Sequence, residues 1–335
     1  MSRALDKSLK ESLKHGDHHS VFLEISDVLI EPSNELLEIE LLGKSHNLDA
    51  HTSVLRDDKA VAILKLRLVQ AFIVAQKLLK QFQADSLRVS LEDISRSTAV
   101  ILLMDPEHLT AANTRKRLIR DRWREEDLQD RLHLEKHLTD SLLTSRLHRH
   151  TKSPTLWNHR RWLMEQYRLH NIEVPVEDDL TRTIMISGER HPRNYYAWCH
   201  ARYLVNTFVP SSPSSQEKIS RMIIATQKWC FAHHNDISGW QFLLYLLDKQ
   251  PAETSPVFRE TLKLAASFKW RNESVWYFLR LVTARGVTDS DEEEFGSLRK
   301  TLWETASKDS IEKKTLERAE KWLMASQYDF ARNWT

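Results

Sequence analysis

An all-α fold, an α–α superhelix wound as a solenoid of helical hairpins, is what this sequence predicts. Three observations carry that expectation: glycine is scarce, apolar residues keep helical spacing from Lys59 onward, and tryptophan recurs at the starts of successive helical segments. Only 6 glycines occur in 335 residues, all of them single. No clustered glycines can cradle a phosphate, so Rossmann and P-loop readings fall away together with most nucleotide-dependent enzymes. With 49 Lys and Arg against 47 Asp and Glu, the formal charge is +2. Counterion release needs clustered excess cations, so a chain this close to neutral offers no nucleic-acid footprint. Cys199 and Cys230 form no C-x-x-C, which fits a reducing compartment without a disulfide or a zinc framework. Ser2, Arg3, Asp6, Lys7 and Lys10 have no apolar core behind them, and no window reaches about 18 uninterrupted apolar residues. The expectation is a cytoplasmic protein with no membrane span.

Residues 1–58 read as an irregular N-terminal extension: a polar start, a β-branched stretch around 21–30, Pro32, and an apolar cluster at 36–42. From Lys59, Ala62, Leu66, Val69, Ile73 and residues 75–79 make a wide apolar face at i, i+3, i+4 steps. Further helices are expected at 90–104, 108–122, 126–147, 154–170, 177–189, 194–207, 216–232, 238–249, 254–268, 273–285, 291–306 and 310–326, with no convincing strand. Residues 59–335 are thus expected to form a single helical-repeat domain. Pro210 and Pro213 mark residues 209–215 as a loop, and the carboxylates of 289–294 suit the first turn of the next helix.

The helices repeat. Trp157, Trp198, Trp240 and Trp276 follow one another at intervals of 41, 42 and 36 residues, and Ala112 stands in a degenerate earlier copy. Four residues before each tryptophan come Ser153, Asn194, Asp236 and Asn272, all preferred N-cap types, which places the tryptophan at N4. Three or four residues after it come Arg160 and Arg161, Arg202 and Arg280, with Arg115 in the degenerate copy; Leu243 and Leu244 replace the arginine after Trp240. A unit of about 40 residues holding two helices buries its apolar face only by stacking on its neighbours. The tryptophans therefore read as locks between hairpins, their indole N–H groups finding local acceptors, and the arginines as partners for carbonyls or acids at repeat junctions.

Ser153-Pro154-Thr155-Leu156-Trp157-Asn158-His159-Arg160-Arg161-Trp162 and His191-Pro192-Arg193-Asn194-Tyr195-Tyr196-Ala197-Trp198-Cys199-His200-Ala201-Arg202 resemble the P-x-N-Y-x-x-W-x-x-R repeat of protein prenyltransferase α subunits. The likeness extends over roughly residues 60–285 and is nearest to the repeat-containing, type III geranylgeranyltransferase branch of that family. It implies a crescent of hairpins around a separate, Rab-type β subunit. That partner holds the zinc ion and most of the geranylgeranyl diphosphate, and this chain binds no cofactor itself. The implied reaction is attack of a C-terminal cysteine thiolate of an acceptor protein on C1 of the allylic diphosphate.

Farnesyl-type α subunits carry a lysine five residues before the tryptophan. Arg193 stands there in this sequence, as in the Rab-type and type III subunits, and presents a planar fork in place of a point cation. By the resemblance, Arg193 and Tyr195 face the active site, while Asn194, His200, Arg202, Asn158, His159 and Arg160 are binding or interface residues. Trp157, Trp198, Trp240 and Trp276 are the structural repeat positions. The sequence departs from the pattern at Ala112, Ala201, Leu243 and Leu279. A helical-repeat adaptor that binds a protein partner on its concave face without catalysis is the alternative reading.

Sixteen histidines yield no metal motif: His133 and His137 lie at i, i+4 in His-Leu-Glu-Lys-His, which is not H-E-x-x-H and lacks a third ligand. Cys199 and Cys230 fall within amphipathic helices, as small hydrophobes do. Arg332-Asn333-Trp334-Thr335 contains no cysteine to be prenylated.

Overall fold

The computed structural model describes residues 17–43, 52–121, 125–210 and 212–332. Residues 1–16 of the expected extension and most of the C-terminal tetrapeptide lie outside the described residues. The chain divides into two compact units, Met1–Pro175 and Val176–Thr335, where a single domain from 59 to 335 was expected. At the junction Asn171 takes a left-handed φ of 55° and Pro175 has no N–H with which to continue a helix.

The N-terminal unit begins with regular structure where the sequence predicts an irregular extension. Helix α1, His18–Ile30, starts at Asp17, whose carboxylate accepts from the Ser20 N–H at 3.0 Å. Val21, Phe22, Ile25 and Leu29 form its buried stripe at helical spacing. Strands β1 (Glu38–Leu42), β2 (Val54–Asp57) and β3 (Ala60–Leu64) make a sheet in the order β1-β3-β2. β1 runs parallel to β3 with Glu38 opposite Ala60, and β2 runs antiparallel with Val54 opposite Ile63. Asp58, at φ 52°, turns β2 into β3. Val61 and Ile63 are buried with period two, so Lys59 belongs to the turn and the long helix α2 begins later, at Lys65–Ala84. A five-residue strand running straight into a helix imitates one continuous helical face.

α3 (Leu91–Met104), α4 (Leu109–Asp121), α5 (Leu128–Thr144), the single turn α6 (His148–Thr151) and α7 (Pro154–Leu169) complete this unit. α1 packs on α2 and α3. The lead-in to β1 is tied to α5: Ser141 Oγ accepts from the Leu37 N–H at 3.0 Å, and His137 Nε2 lies 2.9 Å from the Glu35 carbonyl.

Within α6, the buried His150 donates from Nε2 to the carbonyls of Leu102 and Leu103, at 3.1 and 2.9 Å. Burial, outweighing those carbonyls, pushes its imidazole down to about 4. A folded value below the unfolded one means that protonation favours unfolding. The contribution of His150 is therefore complete above about pH 6.5 and is lost as pH falls toward 4. Replacement of His150 by Asn is expected to flatten the pH dependence of the urea midpoint between those values, whatever it does to the midpoint at neutral pH.

In the C-terminal unit Val176–Asp179, a π-helical stretch Leu180–Met185 and Ile186–Arg190 follow without a break as α8. α9 (Tyr195–Phe208), α10 (Pro213–Ala232), α11 (Ile237–Lys249), α12 (Thr254–Phe268), α13 (Glu273–Ala284), α14 (Asp289–Glu304) and α15 (Ile311–Arg332) follow. α9 packs on α11, α11 on α13, and α13 on α15. Pro213 opens α10 at its first turn, where its missing N–H costs nothing, so the helix starts earlier than expected. Asp289 and Asp291 lie in the first turn of α14 behind the Thr288 cap.

Candidate functional site

The repeat helices share one way of starting. Ser153, Asn194, Asp236 and Asn272 occupy the N-caps of α7, α9, α11 and α13, with the tryptophans at N4. Ser153 accepts from the Leu156 N–H at 3.1 Å, Asn194 from Ala197 at 3.3 Å and Asp236 from Ser238 at 2.9 Å. The degenerate copy obeys the same rule with a histidine: His108 Nδ1 accepts from the Ala111 N–H at 3.1 Å, and buried Ala112 fills the tryptophan's place in α4. Caps also reach the preceding repeat. Ser153 Oγ donates to the Pro106 carbonyl at 3.1 Å, Asp236 accepts the Arg193 N–H at 2.6 Å, and Asn272 Nδ2 donates to the His234 carbonyl at 2.8 Å.

Three indoles donate to the carbonyl six residues earlier: Trp157 to Thr151, Trp240 to His234 and Trp276 to Trp270, at 2.9, 3.0 and 2.9 Å. Trp198 Nε1 is buried with no acceptor among the described residues. Its sixth predecessor is Pro192, and the next residue, Arg193, is held at φ 59°. Trp276→Phe is expected to cost about 1 kcal/mol for the lost hydrogen bond, and Trp198→Phe to be neutral or stabilising, since no bond is lost there. Urea midpoints of the two variants compare them directly.

The repeat arginines of the N-terminal unit are internal. Arg115 holds Glu135 from Nε and Nη2 at 2.8 and 2.6 Å, and His159 Nε2 donates to the same carboxylate at 2.6 Å. Arg160 Nε meets Asp140 at 2.6 Å and Lys136 Nζ meets it at 2.7 Å. Both acids lie on α5, between α4 and α7. Burial alone would raise Glu135, but Arg115 and His159 outweigh it and hold the carboxyl at about 2. Burial is likewise overcome at Asp140 by Arg160 and Lys136, which keep it well below the usual carboxylate range.

These are depressed folded values, so their stabilisation is present above the unfolded carboxylate range and disappears as pH falls through it toward 2. His159 and Arg160, expected at an interface, are thus core residues, because a carboxylate on α5 answers each of them. Asn158 is exposed on α7.

The site residues of α9 are placed differently. Arg193 is exposed, Asn194 is buried as the cap, and Tyr195 and Tyr196 are 69% and 39% exposed, with ring centroids 5.6 Å apart, edge to face. A hydrogen bond with Cys199, one turn on, raises the Tyr195 phenol above its ordinary value, and nearby Arg202 opposes this. Tyr195, Cys199 and Arg202 thus form one strip at i, i+4, i+7, a spacing legible in the sequence once the helix is accepted. His200 is buried against Tyr203, with ring centroids 5.5 Å apart.

Arg202 donates from Nη1 to the Trp198 carbonyl at 3.3 Å and lies over the rings of Phe242 and Tyr245 of α11, 5.9 and 5.6 Å from their centroids. Tyr245 and Lys249 were not anticipated, since pairing of α9 with α11 is needed to bring them here. The structure therefore aligns Tyr195 and Arg202 on one strip of α9 with Arg193 just before its cap, while Asn158, His159 and Arg160 belong to α7. Among the described residues no group of three His, Cys, Asp or Glu side chains is arranged to hold a metal ion, and no helix is long and apolar enough to cross a membrane.

Comparison with known proteins bears on these openings. A profile described as the ECM9 middle domain matches residues 156–268, and one for the protein prenyltransferase alpha subunit repeat matches residues 140–167. Protein ECM9 of Saccharomyces cerevisiae is 27% identical over 220 residues, covering 63% of this chain and 56% of that protein. Protein prenyltransferase alpha subunit repeat-containing protein 1 of Homo sapiens is 28% identical over 176 residues, covering 47% and 40%. Its Danio rerio counterpart is 26% identical over 188 residues, covering 50% and 40%. The chain thus spans about half the length of the curated relatives it matches, and the likeness to the prenyltransferase alpha subunit repeat itself lies at residues 140–167.

Proposed function

We propose, with that kinship as the premise, that this chain is the α subunit of a heterodimeric protein geranylgeranyltransferase. The observation that carries the reading is the exposed opening of α9: a cation and two phenols stand in water at a helix start, while Arg115, Arg160 and Arg280 are answered by carboxylates of this chain. In this reading the partner is a Rab-type β subunit that holds the geranylgeranyl diphosphate and a zinc ion. The metal, on the partner, supplies activation of the acceptor's cysteine thiolate.

The thiolate sulfur forms a bond to C1 of the isoprenoid as the C1–O bond breaks, and diphosphate leaves with the electron pair. Arg193 neutralises that leaving charge; its planar fork suits two phosphate oxygens at once. The left-handed backbone, fixed by the Arg193 N–H on Asp236, sets where the fork can reach. Tyr195 and Tyr196 form an apolar wall with polar tips beside it.

Purified with such a β subunit, the chain is expected to transfer radiolabelled geranylgeranyl from its diphosphate to a cysteine-ended acceptor. Arg193→Ala keeps the backbone N–H on Asp236, so it is expected to lower turnover by about 10- to 100-fold with the yield of heterodimer unchanged. Equal loss of both would make Arg193 an interface residue. A stable pair with no transfer at all would favour the adaptor reading.

A further inference from the structure

One peptide unit of the repeat array stands the other way round from its counterparts. Pro106, six residues before Ala112, accepts from the Ser153 hydroxyl of the next cap at 3.1 Å. His234, six before Trp240, accepts the Trp240 indole at 3.0 Å and the Asn272 amide of the next cap at 2.8 Å. Pro192, six before Trp198, lacks both kinds of donor. The Trp198 indole is buried without an acceptor among the described residues, and the next cap is Asp236, whose carboxylate has no hydrogen to give. Asp236 takes the other end of the same peptide unit instead: Oδ2 accepts the Arg193 N–H at 2.6 Å, while Oδ1 accepts from the Ser238 N–H at 2.9 Å. The N–H and C=O of a trans peptide point in opposite directions, so an N–H turned in to Asp236 turns the Pro192 carbonyl away. Arg193 absorbs that rotation at φ 59°, whereas its counterparts Glu107 and Asn235 are not left-handed.

The inversion is unfavourable twice over, since it leaves an indole donor buried and unmet and sets a residue other than glycine in the left-handed region. Both penalties fall at the position whose side chain the functional reading assigns to the leaving diphosphate. We infer that Asp236 is a positioning residue for Arg193: its carboxylate holds the Pro192–Arg193 peptide inverted, and the inverted peptide aims the guanidinium. The rotamers open to a side chain depend on its own backbone, and a left-handed residue crowds its Cβ against the neighbouring carbonyl. Few directions then remain for the Arg193 stem. A cap that carries a donor, as Ser153 and Asn272 do, would let the peptide turn back, satisfy the Trp198 indole and free that stem. The effect on the reaction rests on the functional reading above, but the orientation of the peptide belongs to this chain alone.

The test compares Asp236→Asn with Asp236→Ser, each of which keeps a cap oxygen for Ser238 and gains a donor for the Pro192 carbonyl. In the full chain carrying isotope-labelled tryptophan, the Trp198 indole proton resonance is identified by its loss in Trp198→Phe. It is expected to move downfield in both variants as the indole gains the Pro192 acceptor, with the urea midpoint equal to or above that of wild type. In the pair with the β subunit, turnover is expected to fall about tenfold at unchanged KM, and Arg193→Ala combined with Asp236→Asn to match Arg193→Ala alone. Either variant carries the test if the other folds poorly. An indole resonance that stays in place in both, or wild-type turnover in a variant whose resonance has moved, overturns the inference alone. Midpoint and turnover falling together would make Asp236 a structural cap and overturn it as well. A wild-type pair that transfers nothing overturns the role of Asp236 together with the functional reading.

Discussion

Replacement of Asp140 by Asn is expected to lower the stability of the N-terminal unit by about 3–5 kcal/mol, read as a shift in urea midpoint at unchanged slope. The side chains of Arg160 and Asp140 are 0% and 1% exposed. Asn matches the shape of Asp but returns no charge, so Arg160 loses the carboxylate that meets its Nε at 2.6 Å in a site shut off from water. Lys136 Nζ loses the same partner, but its side chain is 19% exposed and it has a route to solvent. The penalty therefore belongs chiefly to Arg160. Combining Arg160→Met with Asp140→Leu removes both charges and keeps the volume, and the double variant is expected to recover most of the loss. A single Asp140→Asn variant within about 1 kcal/mol of wild type would contradict the burial of this pair.

Trp240→Ala is expected to cost about 3–5 kcal/mol, the upper range for removal of a buried ring. Trp240 is fully buried, packs on Phe278 with ring centroids 4.9 Å apart, and donates to the His234 carbonyl. The surrounding space is walled by rings that cannot collapse into the gap. At neighbouring Gly239 a Cβ atom would stand only 2.5 Å from Trp229 Cζ3, which shows how little room the helix has to shift. Hydrogen exchange should quicken first in residues 176–335, with α3 and α5 of the other unit protected as before. Uniform loss of protection along the whole chain would mean that the two units do not unfold separately.

Helix positions from α3 onward, apart from the single turn α6, were legible because they combine a polar start signal with an apolar stripe, and the N4 placement of the tryptophans could be counted from Ser153, Asn194, Asp236 and Asn272 alone. The first 64 residues were less transparent for a physical reason: Val61 and Ile63 alternate as a strand should, yet Ala62 and Leu66 also satisfy helical spacing. α1 was missed because its β-branched residues lower helix propensity and placed the stretch in an irregular extension, while Asp17, its cap, stood in an unremarked polar stretch. Within the site, Arg193 and Tyr195 are named by their motif, but the motif says nothing about burial. Arg160 follows Trp157 by three residues and meets Asp140 of α5 in the core, whereas Arg202 follows Trp198 by four, with Ala201 in the place of Arg160, and lies half-buried over the rings of Phe242 and Tyr245.

The caps of the repeat helices carry a consequence for how such an array can change over time. Ser153, Asp236 and Asn272 each stand at the start of a helix and bond the chain just before the preceding one. Nucleation and spacing are thus encoded by the same atoms, and the pitch of the stack cannot drift without also unsettling the rods that compose it. One extra residue spliced between Asn235 and Asp236 would detune two hairpins at once.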